Sequence, residues 1–128
     1  MKTNRKPILN IIASVLAFVI GAMAVFAGGK VLLGILPDYY VIDWLPTYNF
    51  VMGAISIFFS SVVIWKNNKF AMPAAIGTFG VHAIVMLILQ TTYRDVVAPD
   101  SIVAMTVRLI IWAVIVLLLI VHQRKSKR

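Results

Sequence analysis

Two ionisable side chains sit deep inside the long apolar stretches of this 128-residue chain: the guanidinium of Arg108 and the imidazole of His82. Arg108 is the one charge in "VAMTVRLIIWAVIVLLLIV", residues 103–121. Ionisable groups at membrane depth are costly and usually face other helices or a cavity, so they are the default functional candidates. Arg108 lies seven residues after Ser101. That places it about 10 Å down a helix that rises about 1.5 Å per residue. His82 lies about ten residues before the end of its own stretch, which is about 15 Å deep by the same rise. If neighbouring helices run in opposite directions, both belong to one half of the membrane at comparable depth. Asn49 joins them from a second stretch, and Gln90 and Tyr93 stand near the end of the His82 stretch. At about 100° per residue, His82, Met86, Leu89 and Tyr93 share one helix face, and Ser101, Met105, Arg108, Trp112 and Ile115 share another. The expected chemistry is recognition of a ligand or ion in an outward-opening polar pocket. Asp95, Asp100 and Asp43 are the expected charge partners of Arg108, the first two because they flank "VVAP" in the short loop before its helix.

Each of these residues has a structural alternative. Arg108 can snorkel, with its stem in lipid and its head at the surface, or pin a loop to a helix through an aspartate. His82 can be a neutral imidazole bonded to a neighbouring helix, and Asn49 and Gln90 can serve as interhelical glue. His122 adjoins "QRKSKR" and belongs to a solvated flank.

The sequence excludes much other chemistry. It has no cysteine, so disulfides, thiolate metal sites and thiol redox steps are out. It has no glutamate, and its four aspartates all lie outside the apolar stretches. One intramembrane histidine with loop aspartates is a poor zinc site. Bis-histidine haem fails because His122 lies at the opposite boundary from His82. No Ser–His–Asp set or glycine-rich phosphate loop is legible. A proton-coupled small multidrug exporter, similar in length and helix count, would need a buried glutamate. The chain is therefore expected to be non-enzymatic, with no cofactor and no metal. Two functions remain: an accessory subunit or amphiphile-binding bundle with a polar pocket, or a small oligomeric transporter or channel that uses His82 and Arg108.

Composition dictates the elements that carry these residues. The chain is 62% hydrophobic and 12% charged, with a mean hydropathy of +0.98. Ordinary soluble domains are about 45–50% apolar, and a chain this short cannot hide so much apolar surface in a water-soluble core. The net charge of +8 does not mark a nucleic-acid protein, because nine of the twelve Lys and Arg residues fall in "MKTNRK", "KNNK" and "RKSKR", beside apolar runs. Four runs, 8–28, 47–65, 70–90 and 102–122, are candidate spans. Each is long enough to cross about 30 Å of hydrocarbon. "MKTNRK" followed by an apolar run ending in "AVFA" resembles a signal peptide. About twenty apolar residues exceed the usual h-region of about 7–15, so the first helix is expected to be retained.

The basic runs predict both termini and the 66–69 turn on the cytoplasmic side. Tyr39, Tyr40, Trp44, Tyr48 and Tyr93 cluster at the outer boundary, where amphipathic rings settle. Residues 29–46 are too apolar for a plain loop. Either the first helix continues past Gly29 with Lys30 snorkelling, or, the favoured reading, the segment lies partly in the interface. Small residues carry close helix contacts in lipid. Ala13, Ala17 and Gly21 form such a stripe, as do Gly53, Ser56 and Ser60, and Gly77, Gly80 and Ala83. These stripes serve packing within the chain, or, for the first, a homo-oligomer. The expected fold is all-α and integral to the membrane: a single domain, an antiparallel four-transmembrane-helix bundle with both termini cytoplasmic. It is expected in a bacterial cytoplasmic membrane, with the lipid bilayer as partner and no nucleic acid.

Overall fold

The computed structural model describes residues 8–126, and every regular element among them is a helix. The basic positions Lys2, Arg5, Lys6, Lys127 and Arg128 lie outside the described residues. The helices are α1 (Ile8–Leu32), α2 (Leu45–Trp65), α3 (Ala71–Thr91) and α4 (Pro99–Ser126). All four are long and apolar enough to cross a membrane.

α1 and α2 meet along the small-residue stripe of α1. Residue numbers fall along α2 as they rise along α1. Asn10 Nδ2 donates to Ile64 O and to Asn67 Oδ1, each at 3.0 Å. Ser14 and Ser61 donate to each other's carbonyls at 3.0 and 3.2 Å. Further along, a Cβ on Gly53 would sit 2.6 Å from Gly21 O, and one on Gly28 would sit 2.4 Å from Pro46 O. The two backbones are close enough that only glycine fits at these contacts. Ala13 and Ala17 are fully buried here, and Gly21 is buried with them. All three residues of the stripe are thus buried against other helices of the same chain.

Gly28 and Gly29 do not end α1, contrary to the expected boundary at residue 28. The helix continues to Leu32 and stops at Gly34, whose φ is +94°. Glycine adopts that left-handed conformation without steric cost. Ile35 N–H returns to Lys30 O and Gly34 N–H to Val31 O, both at 2.9 Å. These bonds close the helix end by satisfying its last carbonyls. Residues 33–44 are non-helical, and Leu33, Ile35, Leu36, Tyr39 and Tyr40 are exposed. α2 has Pro46 in its first turn and α4 begins with Pro99, positions where the missing N–H has no helical partner to lose. The 66–70 turn holds Asn67 at φ 53°, a conformation asparagine tolerates.

α2 is not a uniform α-helix. Ser56–Ser60 form one π turn, and Ser61 N–H bonds to Ser56 O, five residues back. Two clusters hold the helices together. At the 66–70 end, Ala13, Ala17, Ala75, Trp112 and Ile115 pack around fully buried Ile64. At the loop end, Ile42, Leu45, Val85, Leu89 and Met105 form a second cluster.

Candidate functional site

The first turn and a half of α2 sets the site. Tyr48 and Asn49 are consecutive, so their side chains diverge by about 100° and reach different helices. Tyr48 OH lies 2.5 Å from His82 Nδ1 on α3. Asn49 Oδ1 accepts a 2.5 Å hydrogen bond from Arg108 Nη1 on α4. Both ionisable side chains are buried: His82 is 2% exposed and Arg108 is 6% exposed. Trp44, in the turn that leads into α2, extends the array. Its indole N–H donates to Tyr93 OH at 3.0 Å. Its ring meets those of Tyr48 and Tyr93 edge-on, with centroids 6.3 and 5.8 Å apart. Edge-to-face geometry is the favourable one, since a ring's positive edge meets its neighbour's negative face. A line of contacts thus runs from Tyr93 through Trp44 and Tyr48 to His82.

Arg108 stands apart from the aspartates. Among the described residues the guanidinium has no ion pair, and Asp43, Asp95 and Asp100 are all exposed. Asp100 is in the first turn of the same helix, eight residues before Arg108. That separation is about 12 Å along the axis, which is beyond ion-pair reach. The group against the guanidinium is the neutral amide of Asn49. Gln90 is exposed on α3 and takes no part, whereas Tyr93 belongs to the aromatic line. Among the described residues no three His, Cys, Asp or Glu side chains gather as a metal site.

A cleft of about 60 Å³ opens beside the guanidinium, with Asn49, Ser101, Met105 and Tyr39 among its walls. The Ser101 and Tyr39 hydroxyls and the Asn49 amide nitrogen have no hydrogen-bond partner among the described residues. Arg108 offers five N–H donors and uses one. The cleft therefore joins a cation with unused N–H donors to hydroxyls that can also donate, an electrostatic fit for an anion.

Tyr48 and Tyr39 were legible only as boundary aromatics. Tyr48 carried one further signal: it follows Trp44 by four residues, so the two share a helix face. Tyr39 comes from the non-helical segment, where no periodicity could place it over Arg108. A separate groove of about 450 Å³ beside Phe18, Phe58 and Trp65 is lined mainly by apolar side chains and by neither ionisable group.

The chain matches no protein-family model, no curated protein sequence and no solved structure.

Proposed function

We propose that this chain is a small, non-enzymatic integral membrane protein that holds an anionic amphiphile in a polar pocket in its outer half. In this reading the single domain is an antiparallel four-helix bundle in a bacterial cytoplasmic membrane, with both termini cytoplasmic. Residues 33–44 lie at the outer interface, and the apolar groove beside Phe18 and Phe58 is filled by lipid chains. The observation that carries the reading is the guanidinium of Arg108, buried beside a cleft with one neutral hydrogen-bond partner and no carboxylate. Removing a charge from water costs several kcal/mol unless a partner compensates. A ligand anion entering the cleft supplies that partner, and the free donors of Ser101 and Tyr39 add to it.

Among the described residues the Ser101 hydroxyl in the cleft has no hydrogen-bonded base to activate it, and the reading is one of binding. His82 is held by Tyr48 and helps fix α2 against α3. The test is native mass spectrometry of the protein released from membranes in neutral detergent. The parent should carry an anionic amphiphile that Arg108→Met lacks. Identical adduct spectra from the two proteins would overturn the reading.

A further inference from the structure

The space beside Arg108 is one end of a longer trough. The cleft of about 60 Å³ shares Ala27, Tyr39, Leu45, Asn49 and Ser101 with an adjoining space of about 50 Å³. That space shares Val31, Tyr39, Val41 and Pro46 with a groove of about 470 Å³ beneath residues 36–43. Polarity is graded along it. One buried cation and three free donor groups stand at the narrow end, and Val31, Leu32, Leu36, Pro37 and Val41 wall most of the wide end, with Tyr40 and Asp43 at its polar margin. The wide groove falls within the range of about 300–1,000 Å³ typical of small-molecule sites.

We infer that the trough takes a single-chain carboxylate amphiphile, its carboxylate on Arg108 and its hydrocarbon chain passing Tyr39 into the groove. This rests on the amphiphile-binding reading above and names the ligand's headgroup. Two features select the carboxylate. The cleft itself holds one cation, Arg108; Lys30 lines a side space of about 110 Å³ that shares Ala27 and Tyr39 with it, and its ammonium rests 5.1 Å from the Phe26 ring centroid. A dianionic phosphate monoester would leave a buried negative charge uncompensated. The planar guanidinium fork pairs in a bidentate way with a carboxylate and with a phosphate alike, so charge and room decide between them. The room is small. At about 30 Å³ per water in the liquid, the cleft of about 60 Å³ holds about two water-sized occupants. A phosphodiester headgroup with its glycerol exceeds that. Asp43 lines the far groove and disfavours a second anionic group on the chain's end.

The test uses the full chain in neutral detergent with laurate, dodecyl phosphate and uncharged methyl laurate as probes, reading affinity by calorimetry and melting temperature. Laurate should bind about tenfold or more tighter than methyl laurate, as expected for a buried charge-assisted pair, and tighter than dodecyl phosphate. The preference over the ester should vanish in Arg108→Met. Ser101→Ala should weaken laurate severalfold with an unchanged ligand-free melting temperature, which keeps the test valid if Arg108→Met fails to fold. Dodecyl phosphate binding more tightly than laurate would overturn the carboxylate assignment and leave the anionic pocket standing. No preference for either anion over the ester would overturn both.

Discussion

Replacing Arg108 with methionine separates a cation that holds the fold together from one that awaits a ligand. Methionine keeps the stem and removes the charge. What is lost is the hydrogen bond to Asn49 Oδ1. A charge-assisted bond of that kind is worth about 1.5–3 kcal/mol. Because Asn49 lines the cleft, water can reach the vacated carbonyl and soften that loss. What is gained is relief from desolvation of a guanidinium that is only 6% exposed. In real proteins that penalty amounts to several kcal/mol. The described residues offer no carboxylate whose own charge would be stranded by the change. Such a stranded partner is what makes breaking a buried ion pair cost about 3–5 kcal/mol. The balance favours methionine by about 1–3 kcal/mol in ligand-free protein. At about 2–8 °C per kcal/mol for chains near this size, the melting temperature should rise by several degrees. The assay is thermal melting of stripped protein in neutral detergent, with ligand removal checked by mass spectrometry. A stripped Arg108→Met protein melting several degrees below the parent would refute the reasoning, because it would mean that the guanidinium is already compensated within the chain.

Further outcomes follow from the packing and the charge pattern. Gly53→Ala places a methyl 2.6 Å from Gly21 O and 2.7 Å from Val25 N. That overpacking should cost about 1–3 kcal/mol in melting experiments. Gly77→Ala points into open space, so it should be neutral or stabilising through its better helix propensity. Reporter fusions at Asn67 and at the C-terminus should read cytoplasmic, and fusions at Asp38 and Val97 external, by the positive-inside rule; an external C-terminus would refute the orientation. With no native cysteine to interfere, a Ser14→Cys/Ser61→Cys pair should cross-link readily, since the native hydroxyls are 3.3 Å apart. That cross-link should survive deletion of Phe58 and weaken when a residue is inserted after it.

The helices were legible because about twenty apolar residues in a row leave the backbone one way to satisfy itself in lipid. Their ends were less so. Gly28 looks like a terminator in sequence, yet its missing side chain serves the approach of Pro46, and the αL terminator is Gly34. At the site, the sequence picks out Arg108, His82 and Asn49 as polar groups at depth, because such groups are conspicuous against the apolar runs. Their pairing is not legible, since which loop or helix reaches a guanidinium depends on tertiary geometry. The aspartates looked closer than Asn49 only because they are closer along the chain. Gln90 was separable by angle alone: eight residues after His82, it points about 80° away from the His82 direction, while Leu89 and Tyr93 fall within about 20°. Tyr48 gave a weak signal, because a tyrosine that anchors a helix at the membrane boundary and one that holds a buried histidine have the same sequence context.

The π turn had no signal at all, yet spacing explains it once the partners are known. Contacts on α1 fall at Gly28, Gly21 and Ser14, seven residues apart each time. Their partners on α2 are Pro46, Gly53 and Ser61, separated by seven and then eight. In an unbroken α-helix the extra residue would turn everything beyond it by about 100°. Either Ser61 and Ile64 would leave α1, or Tyr48 and Asn49 would leave His82 and Arg108. The turn at Ser56–Ser60 absorbs the extra residue, so both halves of α2 keep their partners. Deleting Phe58, which is largely exposed, removes the surplus and lets an ordinary helix make the same contacts. The residue that then faces Ser14 is still Ser61, which is why the cross-link should persist. One helix can therefore hold Ser14 through Ser61 at one end and reach His82 and Arg108 through Tyr48 and Asn49 at the other, with the π turn between them.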